Sequence, residues 1–121
     1  MICHGRFPYL ECSSQGDRRF SAFYARIKGR DNKTIEELYQ GFKIFDNGVT
    51  GLRWKQAKGR KAINQKEASV FYGLLWREYI QENPELIQVL VKAKGLSDKF
   101  GQPGRCCQAT ELWKIRNEYL T

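Results

Sequence analysis

The chain has 121 residues, room for one domain around one core, and its 41% hydrophobic and 13% aromatic content excludes a disordered or low-complexity polymer. Lys and Arg outnumber Asp and Glu by 21 to 13, a net charge of +8 that favours a polyanionic or phosphate-bearing partner. No apolar run approaches membrane-spanning length and Met1-Ile2-Cys3-His4-Gly5-Arg6 is not a signal peptide, so the expectation is a soluble, cytoplasmic protein with no membrane partner.

Residues 1–19 read as a short apolar start followed by a polar loop from Glu11 to Arg19. Phe20 to Lys28 reads as a strand with Phe20, Ala22 and Tyr24 on one side. Gly29-Arg30-Asp31-Asn32 is a turn. Thr34 with Glu37 makes a capping box for a helix running to about Phe45, where Asp46-Asn47-Gly48 breaks it. At 100° per residue Glu36, Gln40 and Lys43 fall on one stripe of that helix, beside an apolar arc of Ile35, Leu38, Tyr39 and Phe42. A polar row bordering a buried face is where a pocket wall holds a carboxylate in partly desolvated surroundings.

Arg53, Lys55, Lys58, Arg60 and Lys61 form a run without a carboxylate, and Trp54 lies inside it. The run suits contact with phosphate or with a nucleic-acid backbone; its plain alternative is a solubilising surface patch. Trp54 within it suits stacking on a base or a semi-buried anchor. Asn64 with Glu67 offers a second capping box, ahead of a helix carrying Val70 to Gln81. Asn83 caps a further helix with Pro84 at its first position, and Gly95 closes it. A Gly/Pro-rich loop from Gly95 to Gly104 carries Asp98, and a last helix spans about Thr110 to Tyr119, with Leu112, Trp113 and Leu120 as packing residues. The predicted fold is mostly α (α+β): one domain, residues 1–121, of several helices with a small β element near the N-terminus.

Cys3, Cys12, Cys106 and Cys107 make no convincing disulfide framework, because adjacent cysteines rarely bridge each other. No CxxC pair repeats, so no metal site is expected; reduced, partly buried thiols are the plain reading, and a structural role is the plain reading of His4.

In order, these segments resemble the NADAR family, small enzymes named for their links to NAD and ADP-ribose. The family's "SNFY"-type segment is matched by Ser21-Ala22-Phe23-Tyr24, and its "(S/T)VEHxxQxxK"-type helix by Thr34-Ile35-Glu36-Glu37-Leu38-Tyr39-Gln40-Gly41-Phe42-Lys43. Its "AKxxGR" segment resembles Ala57-Lys58-Gly59-Arg60, and its "QNPEL" break resembles Gln81-Glu82-Asn83-Pro84-Glu85-Leu86. The likeness covers about residues 20 to 95. Ala22 stands where the family has Asn, Glu37 where it has His, and the family's Trp-Asp and Trp-Gly segments are absent or altered. Asp98 and Trp113 are the nearest counterparts of the closing acid and aromatic.

The resemblance implies a largely helical fold and hydrolysis of an N-glycosidic bond, either of ADP-ribosylated guanine in nucleic acid or of a ribosylated intermediate of riboflavin synthesis. The partners implied are an ADP-ribose-type nucleotide or ribosylated base, with DNA or RNA as carrier. Water is the co-substrate, and no cofactor is called for. Breaking a C1′–N bond places positive charge on the ribose and negative charge on the leaving base. Glu36 is assigned to the cation, against the alternative of an exposed first-turn glutamate complementing the helix dipole. Asp98 is the candidate second acid, or a turn former. Gln40 and Lys43 are candidates for sugar or phosphate contacts, or for a solvated helix face. Tyr24 is a candidate for stacking on base or ribose, Phe23 for the core, and Arg60 for a phosphate. Gln108, just before the last helix, could approach the same pocket, but no role is assigned to it. Two non-catalytic alternatives stand beside the hydrolase: a module that binds nucleotide or nucleic acid without cleaving it, and a basic DNA-binding accessory protein with no pocket.

Overall fold

Ala68, Tyr72, Leu75, Trp76, Tyr79 and Ile80 recur at spacings of three, four and one, so a helix carrying them buries one continuous stripe. In a computed structural model of the chain that helix is α2 (Gln65–Glu82), and the protein is built around it. The structure describes residues 2–4, 7–11, 17–45, 62–93, 95–97 and 108–120. In chain order these form β1 (Ile2–His4), β2 (Phe7–Glu11), β3 (Arg26–Ile27), β4 (Lys33–Thr34), α1 (Ile35–Phe42), α2, α3 (Glu85–Lys92), β5 (Gly95–Ser97) and α4 (Gln108–Leu120). The protein is mostly helical with small β elements, as its sequence pattern predicts. Among the described residues no helix is long and apolar enough to cross a membrane.

α1 and β3 lie against α2, while α4 packs on both α2 and α3. The core so formed joins Phe20, Ile27 and Ile35 to the α2 stripe, to Leu86 and Leu90 of α3, and to Leu112 and Ile115 of α4. Trp76 is fully buried at its centre. Its ring meets Tyr72 and Tyr79 edge-on, with centroids 6.4 and 5.6 Å away, an arrangement that aligns ring edges with ring faces. Tyr39 of α1 continues the row, 4.8 Å from Tyr72.

Two small sheets flank the helices. β1 pairs antiparallel with β2 in the register Ile2↔Tyr9, Cys3↔Pro8, His4↔Phe7, within the stretch read as a short apolar start. β2 then pairs in parallel with β5, Leu10 opposite Leu96. Gly95 therefore opens a strand and does not close a helix, α3 having already ended at Lys92.

The strand expected over Phe20–Lys28 is mostly absent. Asp17 caps a 3-10 turn, Arg18–Phe20, and a second turn follows at Ala22–Tyr24. Only Arg26 and Ile27 pair as a strand, with Thr34 and Lys33. The reason is local: the Ser21 carbonyl accepts from the N–H groups of Tyr24 and Ala25, at 3.0 and 2.8 Å, which closes the chain into a turn. The turn predicted at Gly29–Asn32 is present. Asp31 and Asn32 hold φ of 58° and 57°, a left-handed conformation that their short polar side chains tolerate. The Glu82 carboxylate pins it to α2 by accepting from the N–H groups of Lys28 and Gly29, at 2.7 and 2.9 Å.

The capping box of α1 forms as expected. Glu37 N–H donates to Thr34 Oγ1 at 3.1 Å, and Thr34 N–H donates back to Glu37 Oε1 at 3.3 Å. The helix ends at Phe42, three residues earlier than predicted, and Asn64 explains why. Its Oδ1 accepts from the Ile44 N–H at 2.8 Å and its Nδ2 donates to the Phe42 carbonyl at 2.9 Å. Asn64 thus clamps the end of α1 and does not cap α2 with its side chain as predicted. Asn83 likewise makes no side-chain cap; its Nδ2 donates back to the Tyr79 carbonyl at 2.8 Å.

Two packing expectations for α4 fail. Leu120 is exposed and Trp113 lies at the surface; Ala109 and Ile115 join Leu112 in the core instead. Gln108, Ala109, Leu112 and Ile115 follow the i, i+4, i+7 stripe that faces α2 and α3, and positions 113 and 120 fall outside it.

Candidate functional site

Two successive glutamates open α1, and the structure divides their work. Glu37 is exposed and occupied by the capping box. Glu36 is half-buried: its backbone N–H donates to the Ala22 carbonyl at 3.0 Å, and its Oε1 accepts from Gln40 Nε2 at 2.8 Å. Burial raises the Glu36 pKa above the ordinary carboxylate value, while the Gln40 hydrogen bond and the Lys43 charge act to lower it. Burial is the largest of the three effects. The alternative of a fully solvated first-turn glutamate is thereby set aside.

Gln40 is nine-tenths buried, one turn along α1. Its amide nitrogen is committed to Glu36, which leaves Oε1 buried without a hydrogen-bond donor among the described residues. An unsatisfied buried acceptor costs about 1–3 kcal/mol, so such atoms are few in folded proteins. Lys43 comes after the end of α1 with extended backbone, so it is the helix stop, and not the 100° rule, that sets its place. Its Nζ lies 4.3 Å from the centroid of the Tyr39 ring, and its charge reaches Glu36.

The 21–24 turn closes over the start of α1. Ile35 N–H donates to the Ala25 carbonyl at 3.0 Å, next to the Glu36–Ala22 bond. Gln108, at the first turn of α4, holds the same turn from the other side: its Oε1 accepts from the Ala22 N–H at 2.8 Å. Gln108 is buried, and it links α4 to the residue that carries Glu36. Sequence reasoning gave Gln108 no role, because its contact is 86 residues away along the chain. The turn presents Phe23 and Tyr24 outward, each 46% exposed. Phe23 is therefore not in the core as expected: Ser21, Ala22 and Ala25 are buried in its place. Arg18 lies over the Tyr24 ring, 4.6 Å from its centroid.

Glu36, Gln40 and Lys43 are thus brought together, and Tyr24 stands on the adjoining turn. Trp113 is not among them. It lies on α4 with the Arg116 guanidinium 4.4 Å from its ring, and among the described residues no hydrogen bond or ring contact joins it to the Glu36 group. Asp98, Trp54, Arg60, Arg53, Lys55, Lys58 and Lys61 lie outside the described residues. Chemically, the assembled group offers a carboxylate of raised basicity, an unsatisfied carbonyl acceptor and a neighbouring cation. No family model, curated protein or solved structure matches this chain.

Proposed function

We propose that the chain is an N-glycoside hydrolase of the NADAR type, acting on an ADP-ribosylated or ribosylated base carried on nucleic acid. The observation that carries this reading is the half-buried Glu36 carboxylate, oriented by Gln40 and raised in pKa by desolvation. As the C1′–N bond lengthens, the ribose becomes cationic. A carboxylate deprived of water interacts with that cation more strongly than a hydrated one does. Water then adds to C1′, its proton passing to Glu36 and on to solvent, while the departing base nitrogen takes up a proton. The products are the free sugar and the free base.

Gln40 Oε1 suits a sugar hydroxyl, which would supply the donor it lacks. Tyr24 suits stacking on the base, and Lys43 suits a phosphate. Asp98 as acid to the leaving base, and Arg60 on a phosphate, enter on the resemblance alone. Four cysteines without a disulfide framework suit a reducing compartment such as the cytoplasm.

The test is incubation with DNA carrying ADP-ribosylated guanine, followed by chromatography for free ADP-ribose. Release by the native chain and none by Glu36→Gln supports the reading; equal release by both removes Glu36 from the mechanism. A second reading, a module that binds the nucleotide without cleaving it, is favoured by the same Gln40 carbonyl, which recognises a donor whether or not a bond then breaks. Calorimetric binding of ADP-ribose, with the adduct recovered intact by mass spectrometry, decides for it.

A further inference from the structure

α2 buries one side and leaves another bare. Val70 and Leu74, one turn apart, are 65% and 55% exposed, and Ile63, two residues ahead of the helix, is exposed as well. Single apolar side chains open to water are ordinary, but a row of them on one helix face marks a contact surface. Charges flank the row. At 100° per residue Lys66 and Arg77 fall about 40–60° to one side of the line through Val70 and Leu74, and Glu67 and Glu78 fall about 40–60° to the other. One flank is thus basic at both ends of the row, and the other is acidic at both ends. Lys66 and Glu67 are exposed, and among the described residues no ion pair or hydrogen bond engages either side chain. Arg77 binds Glu118, and Glu78 accepts from Arg30 on Oε2 alone. Both side chains stay about a third exposed, with further guanidinium donors and a second carboxylate oxygen to offer.

An apolar row between a basic and an acidic flank fits a copy of itself, in one orientation. A two-fold axis running along the helix sets two copies parallel and exchanges left for right. Each basic flank then meets the acidic flank opposite: Lys66 faces the partner's Glu67, and Arg77 faces the partner's Glu78. An axis across the helix sets the copies antiparallel and exchanges top for bottom instead. Lys66 would then face the partner's Arg77, and Glu67 the partner's Glu78, charges of like sign. A polyanion would engage the basic flank and be repelled by the acidic one. Tyr72, which meets Tyr39 of α1, lies about 180° round α2 from the row, so a second copy seated here leaves the Glu36 group uncovered.

We propose that the Val70–Leu74 face of α2 binds a second copy of this chain, forming a parallel two-fold dimer in which Lys66 of each copy pairs with the partner's Glu67. The dimer requires no cleavage and leaves each candidate site on its own protomer.

The test is analytical ultracentrifugation of the full chain over a range of concentrations, with reductant present so that the cysteines do not link copies. The mass is expected to rise with concentration from 14.1 kDa towards twice that value. Leu74→Lys is expected to leave a folded monomer, because the side chain it replaces is open to water. Lys66→Glu is expected to weaken association about tenfold, since one reversal spoils two symmetry-related pairs. Lys66→Glu/Glu67→Lys exchanges the two charges and is expected to restore association. A native chain that stays monomeric up to about 1 mM overturns the proposal, as does a dimer that survives Leu74→Lys. Tighter association of the Lys66→Glu variant also overturns it, because only the antiparallel arrangement sets that position against the partner's Arg77. Because none of these measurements involves turnover, a failure here leaves the hydrolase test untouched, and a failure there leaves this one standing.

Discussion

The Gln40 side chain donates to the Glu36 carboxylate at 2.8 Å and keeps its own carbonyl oxygen buried without a donor. The first contact orients a desolvated carboxylate; the second leaves a hydrogen-bonding demand that a sugar hydroxyl would meet. Such a demand also discriminates. A site built around a hydroxyl rejects the analogue lacking it, because its own polar group then stays unpaired.

Glu36→Gln is expected to reduce turnover by about 10²–10⁴-fold, the range for loss of a positioned acid–base group. The same change is expected to raise the melting temperature at neutral pH. Folding favours the protonated form of Glu36, because burial raises its pKa. The stability linked to that form is complete at acid pH and is lost as pH rises through the folded value. Thermal melts of the two proteins should coincide in acid and diverge, with the variant ahead, as pH increases. Divergence in the opposite direction excludes the burial argument.

Activity is expected to need Glu36 ionised, so the acid limb of the pH–rate profile should lie above the ordinary glutamate value. Lys43 lowers the Glu36 pKa through its charge. Lys43→Met is therefore expected to move that limb to higher pH. Rates of ADP-ribose release across the acid range measure it, and an unmoved limb separates Lys43 from Glu36.

The neighbouring glutamate should behave differently. Glu37 serves the capping box with Thr34. Glu37→Ala is expected to cost about 1 kcal/mol of stability and to leave the rate per folded molecule near that of the native chain. Urea unfolding and turnover, measured on the same preparations, test the division.

Gln108→Leu is expected to lower stability by about 1–3 kcal/mol, because it leaves the buried Ala22 N–H without its acceptor. The loss should also reach turnover, since the Ala22 carbonyl holds the Glu36 N–H at 3.0 Å. Gln108→Glu keeps an oxygen at the same place and is expected to restore part of both. Equal damage from the two variants would argue against the acceptor role.

Asn64→Ala removes two bonds from the end of α1, to the Phe42 carbonyl and the Ile44 N–H. The expected outcome is a loss of about 1–3 kcal/mol and a weaker hold on substrate, because Lys43 lies between the two clamped residues. Denaturant midpoints and KM report the two effects separately.

Much of this protein was open to reading from local chemistry. The box of Thr34 and Glu37 starts α1 without help from the rest of the chain, and the four-residue spacing of Glu36 and Gln40 puts them on one face. The apolar period of residues 68–80 fixes which side of α2 turns inward, since a 3.6-residue helix has only one such side. Contacts distant in sequence were not legible in this way. Nothing near Gln108 foretells that its amide will reach Ala22, and nothing near Asn64 foretells that it will end α1 and not begin α2. Phe23 is exposed and not in the core because a turn, closed on the Ser21 carbonyl, does not alternate its side chains as a strand does. The sequence by itself determined the helices and the row of Glu36 and Gln40, because hydrogen bonds within four residues settle both. Only the tertiary structure decided that Glu36 would be desolvated, because that depends on which distant elements close over it.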